Sequence, residues 1–582
     1  MAEAHATPEL PSFGKSLFGG VIADEIVFPY PRTPRHDAQT LETFLGDLRR
    51  FFDAKVDAAA FDRRAGVPED VIEGLAERGV LGLWVPTTYG GLGFSQTQTG
   101  RIMEFIASRD AGIGVLVGSH LSIGIKGIDL YGTEAQKRRW LTPCAKGETL
   151  ASFALTEPEH GSDAASIESR AEPDADGEGW VLEGRKIWIG NAHRAGVITT
   201  FAQTPVRRDG RTVDRVTAFV VEGDSDGLAR GRTWTDEKLG IRSSTQAELI
   251  FRGVRLAPDQ VLDSPGQGFK VAMNVLNGGR LGLAASAVGG ARTILDAAID
   301  FATTRRQFGR PIAEFDLIRG KLARIRLETW VAESMVYLTL GLVDRGGVDY
   351  SLESAICKVY ASEMVWRAAD DAVQIAGGRG YMNDQPFERF LRDTRIMRIF
   401  EGTNEVLRVF IALAGMERLG EYLEGVGRAL REPIQEIGVL TDFAFHRIQD
   451  ALGARRSDAR VADPLAGCLR QVERFTGVLH EGAESLIRTH RDRLVEEQFQ
   501  LARLADVAID VYALAASISR VQDRIERDGE AAAGPEIDLV RQLCRDAGAR
   551  IERRQALLSG NRDPRLRRIA SEAIADREGA RG

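Results

Sequence analysis

Apolar positions recur at helical spacing from residue 41 to 149, in Leu45, Leu48, Phe51 and Phe52 and again in Val71, Leu75 and Val80, so amphipathic helices are expected there. The run is broken at Gly90-Gly91-Leu92-Gly93 and resumes over 101–108 and 123–131. Thr133-Glu134-Ala135-Gln136 opens one more helix, with Thr133 as its cap. Near residue 150 the period shortens. Segments at 151–155, 180–182, 197–201, 216–221 and 247–251 are rich in Val, Ile, Phe and Thr and separated by Gly, Asp or Pro, which predicts an antiparallel all-β insert. Helical spacing returns at about 266 and runs to about 416, with stretches at 271–304, 317–345 and 351–375 long enough for a bundle. Beyond it lies a more charged helical region. The expected organisation is a proline-punctuated extended arm (1–34), a helical domain (35–149), a β-domain (150–260), a helical bundle (261–416) and an extra helical domain (417–582). The fold class is thus mainly α with a β-domain insert.

Composition narrows the function classes. At 582 residues the chain exceeds one core, and 43% hydrophobic with 27% charged residues is ordinary for a soluble globular protein. A net charge of -8 argues against nucleic acid as the main partner. Cys144, Cys357, Cys468 and Cys544 are far apart and show no metal-ligand spacing, so no metal and a reducing compartment are expected. The first ten residues lack an apolar signal core, and no apolar run approaches the ~18 residues of a membrane span, which favours a cytoplasmic location.

The chemistry concentrates in 398–408, where Glu401 stands between Ile399-Phe400 and Gly402-Thr403-Asn404. A carboxylate beside bulky apolar residues is expected to be poorly solvated, with a raised pKa useful to a general base. Thr403 is placed to cap the apolar helix that begins near Val406. The plain alternative is a surface Glu before a helix start. Four other stretches carry similar ambiguity: 153–163, a strand running into the turn Gly161-Ser162; Trp188-Ile189-Gly190, a Trp that covers a flat ring or fills a core; 305–311, with Arg305 and Phe308 at a helix end; and Gln374 to Gly380, a glycine-rich helix stop. No strand leads into a glycine-rich turn and helix, so neither a Rossmann fold nor a P-loop is supported.

In their joint order these stretches resemble the acyl-CoA dehydrogenase family, essentially end to end. Support comes from 27–31, Tyr89-Gly90-Gly91-Leu92-Gly93, Leu276-Asn277-Gly278-Gly279-Arg280 and 497–506, the last within the extra domain. The likeness is to the very-long-chain branch, whose members carry an extra C-terminal helical domain. It implies a helical N-domain, an antiparallel β-domain and a C-terminal four-helix bundle, with FAD between them. It implies that Phe153, Leu155, Thr156, Gly161, Ser162, Trp188, Ile189 and Gly190 line the flavin, that Thr403, Asn404 and Glu405 complete its site, and that Arg305, Phe308, Gln374, Gly377 and Gly378 reach the FAD of a second subunit in a homodimer. Ser162, Asn277, Gly278, Gly279, Arg280, Phe400 and Gly402 would contact the acyl-CoA.

On this resemblance Glu401 takes an α-proton from the thioester while the β-hydrogen leaves as hydride to the flavin. The product is a trans-2-enoyl-CoA, and the electrons pass to electron-transferring flavoprotein. Some members place the base on an earlier helix, at the position of Gly279 here. Two departures stand out: Gly190 replaces a hydroxyl residue that would face flavin N5, and Asp316 stands where a Gln is frequent. Gly114 and Gly118, four apart on one helix face, signal either a deep channel for a long acyl chain or close helix packing. Residues 430–460 mix Ile434, Ile437, Leu440 and Phe443 with Arg447, as a membrane-surface helix or an internal helix contact would. The rival readings are an acyl-CoA oxidase that uses oxygen and a non-catalytic flavin-binding assembly factor.

Overall fold

The helical spacing read before residue 150 folds as expected in the computed structural model, which describes residues 12–208, 210–422 and 457–579. Helix α1 (Arg35–Lys55) buries Leu45, Leu48, Phe51 and Phe52, the stripe read from the sequence. Helices α2 (Gln96–Arg109) and α3 (Ala111–Gly118) follow, then a π-helical turn, Ser119–Gly124, and α4 (Lys126–Tyr131). Thr133 caps the next turn, accepting from Gln136 N while Gln136 Oε1 accepts from Thr133 N at 2.7 Å. Contrary to the expectation that no run suits a membrane, 111–131 is apolar and long enough to span one, but 61% of it is buried inside the protein. A π-turn and close packing suit a core segment better.

The β-domain has more strands than were read and is less uniform than predicted. Its strands are β1 (Ala151–Ala154), β2 (Arg170–Pro173), β3 (Trp180–Gly190), β4 (Val197–Arg208), β5 (Arg211–Glu222), β6 (Leu228–Trp234), β7 (Gln246–Leu256) and β8 (Val261–Leu262), in the order β6-β7-β3-β2-β4-β5-β8 with β1 on β4. The sheet is not all antiparallel, because β1 and β2 both run parallel to β4. Only a tight hairpin forces antiparallel pairing, and β1 leads into a long loop instead. Strand alternation divides two cores: Val197, Phe201, Ala218 and Val220 face the N-terminal helices, while Ile198, Ala202, Phe219 and Val221 face the other side.

The loop after β1 is anchored by a buried ion pair. Lys186 is 0% and Glu157 3% exposed, with Nζ 2.6 Å from Oε1. Lys186 also donates to the Leu155 carbonyl, and Glu157 accepts from the Ser169 amide at 2.9 Å. The bundle then follows with α5 (Gly268–Thr304), α6 (Asp316–Arg345), α7 (Ser351–Ala376), α8 (Phe387–Arg395) and α9 (Asn404–Tyr422). The first compact unit takes in 30–407.

The second unit contains Phe13–Pro29 and, among the described residues, 408–422 and 457–579. Its helices include α10 (Asp463–His490), α11 (Gln498–Asp528), α12 (Glu530–Ser559) and α13 (Asp563–Gly579). Where an extended arm was expected, Phe13–Phe18 and Asp24–Val27 are short helices that bury Phe13, Leu17, Phe18, Ile26 and Val27. Apolar residues at helical spacing were hidden there by the surrounding Gly and Pro. His480 Nδ1 donates to the Phe18 carbonyl at 2.9 Å, and Ser519 Oγ donates to that of Val27. Cys468 and Cys544, remote in sequence, lie within hydrogen-bond reach, and both are free. Nearly all of 430–460, read as a membrane-surface or packing helix, lies outside the described residues.

Glu157→Gln is expected to leave Lys186 as an uncompensated buried charge and to destabilise the first unit by about 3–5 kcal/mol. Thermal unfolding should show the loss, with recovery in the double variant Glu157→Gln/Lys186→Met.

Candidate active site

Glu401 and Gly402 follow a short 3-10 turn, Ile396–Arg398, and both adopt left-handed backbone, with φ of 59° and 91°. Glycine does this freely, whereas a glutamate is strained there, by about 1–3 kcal/mol, unless its surroundings hold it. Two cations hold this turn. Arg280, on α5, donates from Nε to the Glu401 carbonyl at 3.1 Å and from Nη1 to Asn277 Oδ1 at 3.0 Å. Lys358, on α7, donates to the Gly402 carbonyl at 2.6 Å and to Asn404 Oδ1 at 2.9 Å. Asn404 Nδ2 reaches Ser362 Oγ and Glu363 Oε1, both at 3.0 Å, and Arg398 pairs with Glu363. Thr403 Oγ1 accepts from Val406 N at 3.3 Å, so the expected cap is present, on a helix that starts two residues earlier than read.

The Glu401 carboxylate points at α5 where that helix has no side chain. A Cβ at Gly279 would stand 2.5 Å from Glu401 Oε2 and 2.9 Å from Oε1. Oε2 is buried without a hydrogen-bond partner among the described residues. The Glu401 amide also meets no acceptor there. Burial pushes the Glu401 carboxyl up to about 7, against the opposing pull of Arg280 and Lys358. The same burial brings Lys358 down to about 7 and Arg280 to about 10, each resisted by Glu401. The expected poor solvation therefore holds, with a different cause. Ile399, one of the apolar neighbours thought to supply it, is 46% exposed, and the surface that the carboxylate meets is α5 at Gly279.

Of the residues expected at an acyl-CoA, Gly279 lies against Glu401, and a Cβ at Gly278 would meet nothing within 4 Å. Phe400 and Gly402 are part-buried, and Ser162 is exposed. Asn277, Arg280 and Asn404 are buried and belong to the network that holds the turn: Arg280 and Lys358 bond the turn carbonyls, and Asn277 and Asn404 accept from those two cations. Glu405 is exposed.

At the β-domain, Phe153, Leu155 and Ile189 are buried, Thr156 is part-exposed and Gly161 is exposed. A bulge between Lys186 and Ile189 puts Trp188 at φ 56° and leaves its indole 60% exposed, which disposes of the core-filling alternative. Trp234 packs against it edge to face at 6.4 Å. Arg305, Gln374, Gly377 and Gly378 are exposed, and Phe308 is 93% exposed. None of these five has a hydrogen bond or ion pair with Glu401 among the described residues.

Sequence reasoning missed Lys358, Ser362 and Glu363, although a lone lysine in the apolar run Ala355-Ile356-Cys357-Lys358-Val359-Tyr360 was a readable signal. Among the described residues, no group of three or more His, Cys, Asp or Glu is arranged to hold a metal.

The chain matches the acyl-CoA dehydrogenase N-terminal domain over 38–148, the middle domain over 152–254 and the C-terminal domain over 266–416. It belongs to the acyl-CoA dehydrogenase family, FAD-dependent oxidoreductases acting on the CH–CH group of an acyl-CoA. A fourth match, over 463–579, is to the C-terminal domain of ACAD9/ACADV. The human mitochondrial very long-chain specific acyl-CoA dehydrogenase is 41% identical over 566 residues, covering 96% of this chain and 85% of that protein. An acyl-CoA dehydrogenase from Bacillus anthracis solved with FAD superposes with a TM-score of 0.77 at 29% identity, covering 96% of this chain and 94% of that one. A chain described with the electron transferring flavoprotein of Acidaminococcus fermentans superposes at 0.61 with 31% identity, over 66% of this chain and 98% of that one.

Gly279→Ala is expected to turn the carboxylate away and slow flavin reduction by substrate about 10²-fold with FAD content unchanged, as stopped-flow absorbance would show. A general base at Glu401 would act only when ionised, so kcat/KM is expected to fall about tenfold per pH unit below about 7 and to level off above it.

Proposed function

We propose that this enzyme dehydrogenates long-chain acyl-CoA thioesters to trans-2-enoyl-CoA, with Glu401 as the base, and that it delivers the electrons to an electron-transferring flavoprotein. The observation that carries the reading is the pairing, on one residue, of a buried carboxylate oxygen without a partner and an amide without an acceptor. An α-hydrogen of a thioester is weakly acidic, so its removal needs a placed base and a donor to the developing enolate oxygen. Glu401 offers both, the carboxylate at Oε2 and the donor at its backbone N–H.

The residues present suit a flavin. Trp188 offers an indole face, Phe153, Leu155 and Ile189 an apolar wall, Thr156 a hydroxyl, and Gly161 a backbone beside which a Cβ would meet nothing within 4 Å. FAD, when bound, supplies the acceptor for the β-hydride. Thr403 to Glu405 are assigned to its other end, with Asn404 acting by holding the turn. Arg305, Phe308, Gln374, Gly377 and Gly378 are assigned to the FAD of a second copy in a homodimer. A phenylalanine with 93% of its surface in solvent supports this, since such a side chain gains by being covered.

For chain length, the two glycines on α3 separate. A Cβ at Gly114 would press on Ala107 at 3.2 Å, the sign of close helix packing, whereas at Gly118 the nearest atom is Met103 Cε at 3.8 Å. Gly118 is the position that leaves room for an acyl chain. The family's very long-chain relative supports the same choice of substrate.

Anaerobic titration with acyl-CoAs of increasing length should bleach the flavin most completely with long chains. Glu401→Gln should bind the same thioesters and FAD but reduce the flavin about 10²-fold more slowly. Normal reduction in that variant would remove Glu401 from its role, and a preference for short chains would remove the long channel.

A further inference from the structure

Gly190 leaves the end of β3 without a side chain, and the space is not empty. A Cβ built there would fall 2.6 Å from Ser119 Oγ and 3.1 Å from Ser119 Cβ, so the serine of the π-turn occupies the place that a residue at 190 would fill. We propose that Ser119 supplies, from the π-turn, the hydroxyl that faces the redox-active edge of the flavin at the end of β3. This rests on the FAD placement proposed above.

Three observations carry it. First, the polar groups around Gly190 are already engaged: Ser152 Oγ donates to the Gly190 carbonyl at 2.8 Å, and Asn191 Nδ2 donates to the Leu116 carbonyl at 3.0 Å. Ser119 Oγ has no hydrogen-bond partner among the described residues and is part-exposed, so it is the donor left available at this edge.

Second, the turn that carries it is fixed. His120 is fully buried, donating from Nε2 to the Leu81 carbonyl at 3.0 Å and accepting at Nδ1 from the Ala151 amide at 2.9 Å. These bonds set one neutral tautomer and tie the π-turn to the start of β1. Thr199 Oγ1 donates to the Gly124 carbonyl at 3.0 Å and ties the far end to β4.

Third, the same helix face links this edge to the base. Gly279 of α5 faces the Glu401 carboxylate, and one turn on, a Cβ at Gly282 would lie 3.1 Å from Ser122 Oγ in the π-turn. Glu401 and the π-turn therefore flank one face of α5, as proton and hydride transfer from neighbouring carbons requires. Ser122 is the rival hydroxyl, but it faces α5 and not β3.

The hydride-receiving nitrogen of oxidised flavin accepts a hydrogen bond and carries its own N–H once reduced, so a hydroxyl donor there favours the oxidised flavin. One such bond is worth enough to move an equilibrium about tenfold. The test is potentiometric titration of the substrate-free holoenzyme against reference dyes, a readout independent of turnover. Ser119→Ala should retain FAD and shift the flavin toward the reduced form about tenfold at a fixed potential. Ser119→Thr should remain close to the wild type, and Ser119→Ala/Gly190→Ser should recover it by returning the hydroxyl to β3. Gly190→Ser alone should lower FAD occupancy, because its Cβ meets Ser119. A Ser119→Ala holoenzyme with unchanged potential and visible spectrum would overturn the proposal while leaving the flavin site standing, as would a shift produced by Ser122→Ala instead. A wild-type chain that takes up no FAD would overturn both.

Discussion

A glutamate in left-handed backbone, with one carboxylate oxygen buried and unpartnered, is unfavourable twice over, in backbone strain and in desolvation. Two long helices offset this. From α5, Arg280 takes the Glu401 carbonyl, and from α7, Lys358 takes that of Gly402, so the turn is clamped at consecutive carbonyls. The clamps are cations within the field of the carboxylate, and their pull limits how far burial raises its pKa, leaving it at about 7. Hydrogen-bond strength and base strength are thus set by the same two side chains. Asn404, Ser362 and Glu363 extend the clamp, which is why a polar cluster persists in an otherwise apolar stretch of α7.

The β-domain answers this with a second rigid wall. The Glu157 and Lys186 pair fixes the loop after β1 to the strand whose bulge turns Trp188 outward. A buried pair of this kind adds little net stability, but it specifies geometry, because either charge alone would be costly. His120 does comparable work without charge: burial brings its imidazole down to about 4, so it stays neutral and bridges Leu81 to Ala151. Both devices place backbone, and neither needs to meet a ligand.

Periodicity carried the long elements well. The stretches 271–304, 317–345 and 351–375 match α5, α6 and α7 to within a few residues, since a helix that buries one face repeats its apolar stripe over many turns. Short strands such as β2 left too few residues for alternation to stand out, and β6, seven residues long, carries no apolar alternation, while the parallel pairing of β1 with β4 depends on a loop path that no local pattern encodes. At the site, Thr403 was readable because a cap is a local device. The clamp made by Arg280 and Asn404 was not legible because their partners, Glu401 and Lys358, lie 121 and 46 positions away. Ser119 was invisible for the same reason. What drew attention to that place was the missing side chain at Gly190, and only the fold shows what fills it.

The geometry at Gly279 also explains why a base can stand in this turn. Position 279 lies on a helix, where the Cα–Cβ direction is fixed, and any Cβ there would fall within 3.0 Å of the Glu401 carboxylate carbon and closer still to both oxygens. A side chain at 279 would therefore push the Glu401 carboxylate out of its present place before any charge is considered. Placing the base at 401 demands glycine on the helix, left-handed backbone in the turn and a clamp to hold it, and all three are present together. The glycine that looked like an absence in the substrate segment is the other half of the seat of Glu401, the base proposed here.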